Sequence, residues 1–194
     1  MTPPNLPYKR SRPGMGCPPH PTLKTVLQKR GAFCSCFLKR VRSGPLGAQV
    51  AAFGDFPGLA VTPDGARVNA IQRIDRQSVT TICHEYRSRN WLSRFFQAPR
   101  VYKEHPDVAP GEYADRTAKG VVTNLAASRE GLFADIVLTR SGEALLDTGC
   151  NTLSACWQAE FVAEESGDLI FRPIKLLSVG LTASPNLPVA TFSI

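Results

Sequence analysis

The chain has 194 residues, 43% of them hydrophobic, with 23 Lys/Arg against 16 Asp/Glu and a net charge of +7. That length and apolar content suit one domain plus a tail, and no apolar run reaches the ~18 residues that a membrane-spanning helix needs. The charge is lopsided: residues 1–44 hold nine Lys/Arg and no acid, while the rest holds 14 basic and 16 acidic residues, so only the tail has an electrostatic reason to bind nucleic acid.

Seven prolines lie in that same stretch, the last at Pro21. Prolines with interspersed charge disfavour packing, so 1–22 reads as disordered and residues 1–44 are expected to form a basic, disordered extension ahead of a domain at 45–194. Within it, 23–42 offers a short basic helix that Gly31 weakens. The start has no apolar core of a signal peptide, which makes a cytoplasmic protein the expectation. Six cysteines (17, 34, 36, 83, 150, 156) are too sparse for a disulfide scaffold. Cys17, His20, Cys34 and Cys36 offer four soft ligands. Cys-x-Cys is atypical of structural zinc, so no metal site is assigned. The sequence has no HExxH, P-loop or GxGxxG motif.

In the body, 49–53 reads as a strand. Asp55-Phe56-Pro57-Gly58 and Thr62-Pro63-Asp64-Gly65 read as turns, because Pro presets φ and Gly accepts positive φ. Residues 67–74 read as extended. Asp75 caps a helix to about Asn90, whose apolar positions Val79, Ile82, Cys83 and Tyr86 recur at three- and four-residue spacing. Trp91, Leu92, Phe95 and Phe96 form an aromatic cluster before Pro99. Strands then follow at 101–102, 120–127 and 132–138, with a short helix at 141–146 capped by Ser141. Residues 153–163 and 169–172 form a hairpin around Glu164-Glu165-Ser166-Gly167-Asp168, and 176–182 is the last strand. Short strands with one main helix predict an α+β fold centred on a small β-barrel.

Three segments carry chemistry. Tyr102-Lys103-Glu104-His105-Pro106-Asp107 supplies a histidine flanked by acids. Leu153-Ser154-Ala155-Cys156-Trp157 follows, with the serine 49 residues after the histidine. Leu176-Leu177-Ser178-Val179-Gly180-Leu181-Thr182 then runs into Pro185-Asn186. A serine hydroxyl needs a base to take its proton, so a histidine after one apolar run and a serine in a later one supply a serine hydrolase's base and nucleophile only if they meet in space, which spacing alone does not show. Taken singly, a loop histidine or a strand serine is ordinarily structural. His84 sits within the predicted helix and His20 in the tail.

As an ordered set, these residues resemble the head-maturation (prohead) proteases of tailed phages, in particular the Mu-type protein I family. Gln72-Arg73-Ile74-Asp75, Tyr113 with Asp115, and Gly131-Leu132 complete the set. The resemblance spans roughly residues 54–188. It implies a serine endopeptidase that cuts scaffold protein, the major capsid protein and itself, inside the prohead in the bacterial cytoplasm. It also implies a fold similar to the herpesvirus assembly protease, His105 as general base, Ser154 as nucleophile, and no cofactor. Two positions depart from the pattern. Ala155 stands where relatives often have proline. Leu176 stands where relatives can carry an acid, two residues before the serine of the last strand. Asp107, Asp115 and Asp168 are the possible substitutes for that acid. Cys156, two residues from Ser154 on the same strand face, is a competing nucleophile. Two rival readings stand beside the protease: a catalytically impaired assembly protein of the same fold that binds scaffold or capsid, and a nucleic-acid-binding module acting through the basic tail.

Overall fold

A computed structural model describes residues 39–41, 47–61, 65–108, 111–185 and 187–190. Nine strands and three helices follow in chain order: β1 (Lys39–Val41), β2 (Ala48–Ala52), β3 (Gly54–Val61), β4 (Arg67–Ile74), α1 (Arg76–Ser88), α2 (Trp91–Phe96), β5 (Arg100–Lys103), β6 (Gly120–Ala127), β7 (Gly131–Leu138), α3 (Arg140–Leu146), β8 (Thr152–Glu165) and β9 (Asp168–Thr182). This is a mixed α+β fold built on one curled sheet, a half-barrel. Along the sheet the order is β1-β7-β6-β5-β9-β4-β3, with β2 also on β7 and β8 also on β9.

The curl follows from β9. It is 15 residues long, pairs with β8 along its whole length, and on its other side meets β4 early and β5 late. Both of those pairings are parallel, so the chain must cross between β4 and β5, and α1 and α2 make the crossing. Three register shifts in the β8–β9 ladder bend the pair. At the other end of the sheet, β2 comes to lie against β8. The enclosed core holds Val50, Val101, Val122, Leu125, Ile136, Leu153, Val179 and Leu181, closed by the buried face of α1. That face is Val79, Ile82, Cys83 and Tyr86, as its spacing predicts.

Asp75 caps α1: its carboxylate accepts from Ser78 N–H at 2.7 Å, and Ser78 Oγ accepts from Asp75 N–H at 2.9 Å. The same carboxylate is bound by Arg172 of β9 at 3.0 Å, which ties the helix start to the sheet. Asp75→Ala is therefore expected to cost about 1–2 kcal/mol, summing a lost cap and a partly buried ion pair. Urea unfolding measures it, and an unchanged midpoint would mean the cap contributes nothing.

Several elements differ from their sequence-based expectation. Asp55 to Gly58 lie inside β3, not in a turn. β3 is an edge strand, so the missing N–H of Pro57 can face away from β4 without breaking the ladder. α3 begins at Arg140 and is capped by Thr139, whose Oγ1 accepts from Gly142 N–H, not by Ser141. The predicted strands at 169–172 and 176–182 are one continuous strand. The hairpin turn is Ser166-Gly167, both at positive φ, as a tight two-residue connection requires. Lys39–Val41, expected within the extension and its helix, pair antiparallel with β7. The rest of the 1–44 extension, the four soft ligands Cys17, His20, Cys34 and Cys36, and the turn at 62–64 lie outside the described residues. Among the described residues, no helix is long and apolar enough to cross a membrane, and no group of His, Cys, Asp or Glu is arranged to hold a metal ion.

Candidate active site

The β8–β9 ladder sorts its side chains by face. Leu153 opposite Leu181 and Ala155 opposite Val179 point to the core. The residues between them must point the other way. Ser154 opposite Gly180 and Cys156 opposite Ser178 therefore share the outer face. On the far side of β9, Tyr102 of β5 also pairs with Gly180, so it borders the same face. Ser154 is 5% exposed and Ser178 1%, so this outer face is covered.

Over Gly180 the cover is the loop after β5. Glu104 continues the ladder by donating its N–H to Leu181 O. It then turns at φ 55°, a left-handed conformation that a non-glycine residue adopts at some cost. The turn carries the chain out of the sheet and back over β9. A methyl group built on Gly180 would lie 2.6 Å from Glu104 O and 3.1 Å from His105 Cε1. The imidazole thus rests on the bare Cα of Gly180, the residue directly opposite Ser154. Directly paired Cα atoms in an antiparallel ladder are about 4.5–5.5 Å apart. Residues remote in sequence are brought to one patch, with Gly180 as the spacer between them. No hydrogen bond joins His105 to Ser154 among the described residues, a looseness common in unliganded sites.

The electrostatics of the patch follow from its burial. Desolvation pushes His105 below its ordinary value of 6.5, opposed by the charges of Asp107 and Glu104. His105 is therefore neutral at pH 7, the form that can accept a proton. Desolvation, reinforced by Asp107, pushes the Cys156 thiol up to about 12. Neighbouring Ser178 tempers that rise, although its Oγ has no hydrogen-bond partner among the described residues. Cys156 is a half-buried residue whose desolvated thiol forms negligible thiolate at neutral pH, which removes its main advantage as a nucleophile.

The possible third members separate by place. Leu176 is 2% exposed and packs in the core. Cys156 pairs with Ser178 and Trp157 with Leu176, so Leu177 is a bulged residue, and the bulge puts Leu176 and Ser178 on opposite faces. An acid at position 176 of this chain would point into the core rather than toward His105. Asp115 is engaged by Lys119 Nζ at 2.6 Å and by Thr117, which hold its carboxyl well below the usual range. Asp168 lies at the hairpin end of β9, ten residues before Ser178, roughly 30 Å along the strand. Asp107 is beside the patch. Its charge acts on His105, on Cys156 and on Tyr102.

Of the other residues in the ordered set, Trp157 Nε1 donates to Gln72 Oε1 at 3.2 Å and so ties β8 to β4. His84 is exposed on α1. The one role that sequence reasoning could not see was that of Gly180. Its only signal is a glycine inside an otherwise apolar strand, which marks a close approach. No protein-family model, curated protein or solved structure matches this chain.

Proposed function

We propose that the protein is a serine endopeptidase of the head-maturation class, with Ser154 as nucleophile and His105 as general base. The observation that carries this reading is the seat of His105 on Gly180, the direct strand partner of Ser154. In this mechanism His105 takes the Ser154 proton as Oγ attacks the scissile carbonyl. It then returns that proton to the leaving amine, and water releases the acyl group by the same route. Backbone N–H groups would stabilise the oxyanion. No cofactor is required. The substrates are those of the resembled class: phage scaffold protein, the major capsid protein and the protease itself. The finer fold assignment, a barrel similar to the herpesvirus assembly protease, belongs to the same proposal and is consistent with the curled sheet.

A fluorophosphonate probe tests the chemistry without a cognate substrate. It should label the full-length protein once, on Ser154, as located by peptide mass spectrometry. The rate should be maximal at pH 7. It should fall only as the pH drops below 6.5 and through the lowered value of His105, because protonation removes the base. Labelling at another residue, or an acid limb centred above pH 7, would contradict this assignment. Absence of labelling would favour the impaired assembly protein, a reading that draws on the missing acid at Leu176 and the absent His105–Ser154 bond. The nucleic-acid reading rests on charges in residues 1–44 and has no support in the body.

A further inference from the structure

Two buried polar atoms beside the patch have no hydrogen-bond partner, and they belong to residues two apart in one turn. They are His105 Nδ1 and Asp107 Oδ1. The turn is closed by Val108 N–H donating to His105 O at 3.1 Å, which makes Asp107 its third residue, and the Asp107 charge acts on the ring. A buried polar atom left without a partner costs about 1–3 kcal/mol, so a bond shared by these two groups would relieve both.

We propose that Asp107 positions His105: its carboxylate accepts the Nδ1–H through one bridging water, leaving Nε2 as the basic nitrogen. This rests on the reading of His105 as the base. The pairing fixes the tautomer, holds the ring over Gly180, and stabilises the imidazolium formed during acyl transfer. It supplies from the histidine's own loop what Leu176 cannot supply from β9. The other groups facing the ring do not compete for this role. Glu104 exerts a weaker charge effect on His105 than Asp107 does. Tyr102 and Cys156, both raised by burial, stay neutral at pH 7. Ser178 bears no charge.

The test is NMR of the full-length protein with 15N-labelled histidine, His105 being assigned by His105→Gln. In the unmodified protein, neutral His105 should carry its proton on Nδ1. In Asp107→Asn the tautomer should shift toward Nε2–H, and the His105 pKa should fall further as the attractive charge is lost. Asp107→Glu, which keeps a carboxylate, should hold the Nδ1–H form and also covers the case in which the asparagine variant folds poorly. Fluorophosphonate labelling should slow on the order of 10²-fold in Asp107→Asn and recover in part in Asp107→Glu. An Nε2–H tautomer in the unmodified protein, or a tautomer and pKa untouched by a folded Asp107→Asn, would overturn the proposal. A tautomer that responds in a protein that never labels would leave the pairing standing and remove the protease reading instead.

Discussion

Ser154→Ala is expected to abolish processing of co-expressed scaffold and capsid protein while leaving the domain folded. The change deletes one oxygen at a site that is already covered, and that hydroxyl has no hydrogen-bond partner among the described residues. Stability should therefore hold within about 1 kcal/mol. The chemistry would lose its nucleophile, a loss on the order of 10⁶-fold where a serine protease has been stripped of its serine. Cys156→Ser is the paired control, since the thiol lies two positions away on the same face. It should retain cleavage, because a thiol held near 12 is not the attacking group. Gel analysis of the products together with thermal melting decides both. Cleavage that survives Ser154→Ala and disappears with Cys156→Ser would reassign the nucleophile. Absence of cleavage in the unmodified protein with its cognate scaffold would favour the assembly-protein reading.

Gly180→Ala should be nearly as damaging, by a different route. The added methyl would sit 2.6 Å from a backbone carbonyl oxygen and 3.1 Å from the His105 ring. Backbone cannot rotate away as a flexible side chain can, so the 104–108 loop must lift. Overpacking of this kind costs about 1–3 kcal/mol. The larger effect is on geometry, since a shift of about 1 Å in a catalytic group can cost ~10²-fold in rate. Labelling of Ser154 should fall at least that far, with a modestly lowered melting temperature. Gly111→Ala is the control: nothing lies within 4 Å of its added methyl, and neither property should change. A Gly180→Ala protein that labels at the full rate would mean that His105 works from a different position.

What was legible in the sequence was local. Asp75 and the spacing of Val79, Ile82, Cys83 and Tyr86 specify a capped helix with one buried face, and α1 has both. The hairpin around Ser166-Gly167 was equally legible, since positive φ at adjacent residues is a property of a few residue types. β6, from Gly120 to Ala127, coincides with its expected span. His105 and Ser154 could be nominated by residue type, order and resemblance, but not brought together.

The tertiary structure decided everything that depends on which strand lies beside which. Pro57 reads as a turn residue until β3 is found to be an edge, where a missing N–H goes unfelt. Lys39–Val41 become a strand only because β7 offers them partners. Leu176 occupies the place of an expected acid by counting residues, yet one bulged residue turns it into the core. Asp107, Asp115 and Asp168 are alike in sequence and differ only in their surroundings: one whose charge reaches the half-buried His105, one bound by Lys119, one at the far end of a strand. The physical reason is common to all of these. Helix periodicity, caps and turns are set by interactions within a few residues, whereas strand pairing, register and burial are contacts between segments remote in the chain. The patch is made of the second kind, with a histidine from the loop after β5 placed over a glycine of β9 that faces a serine of β8.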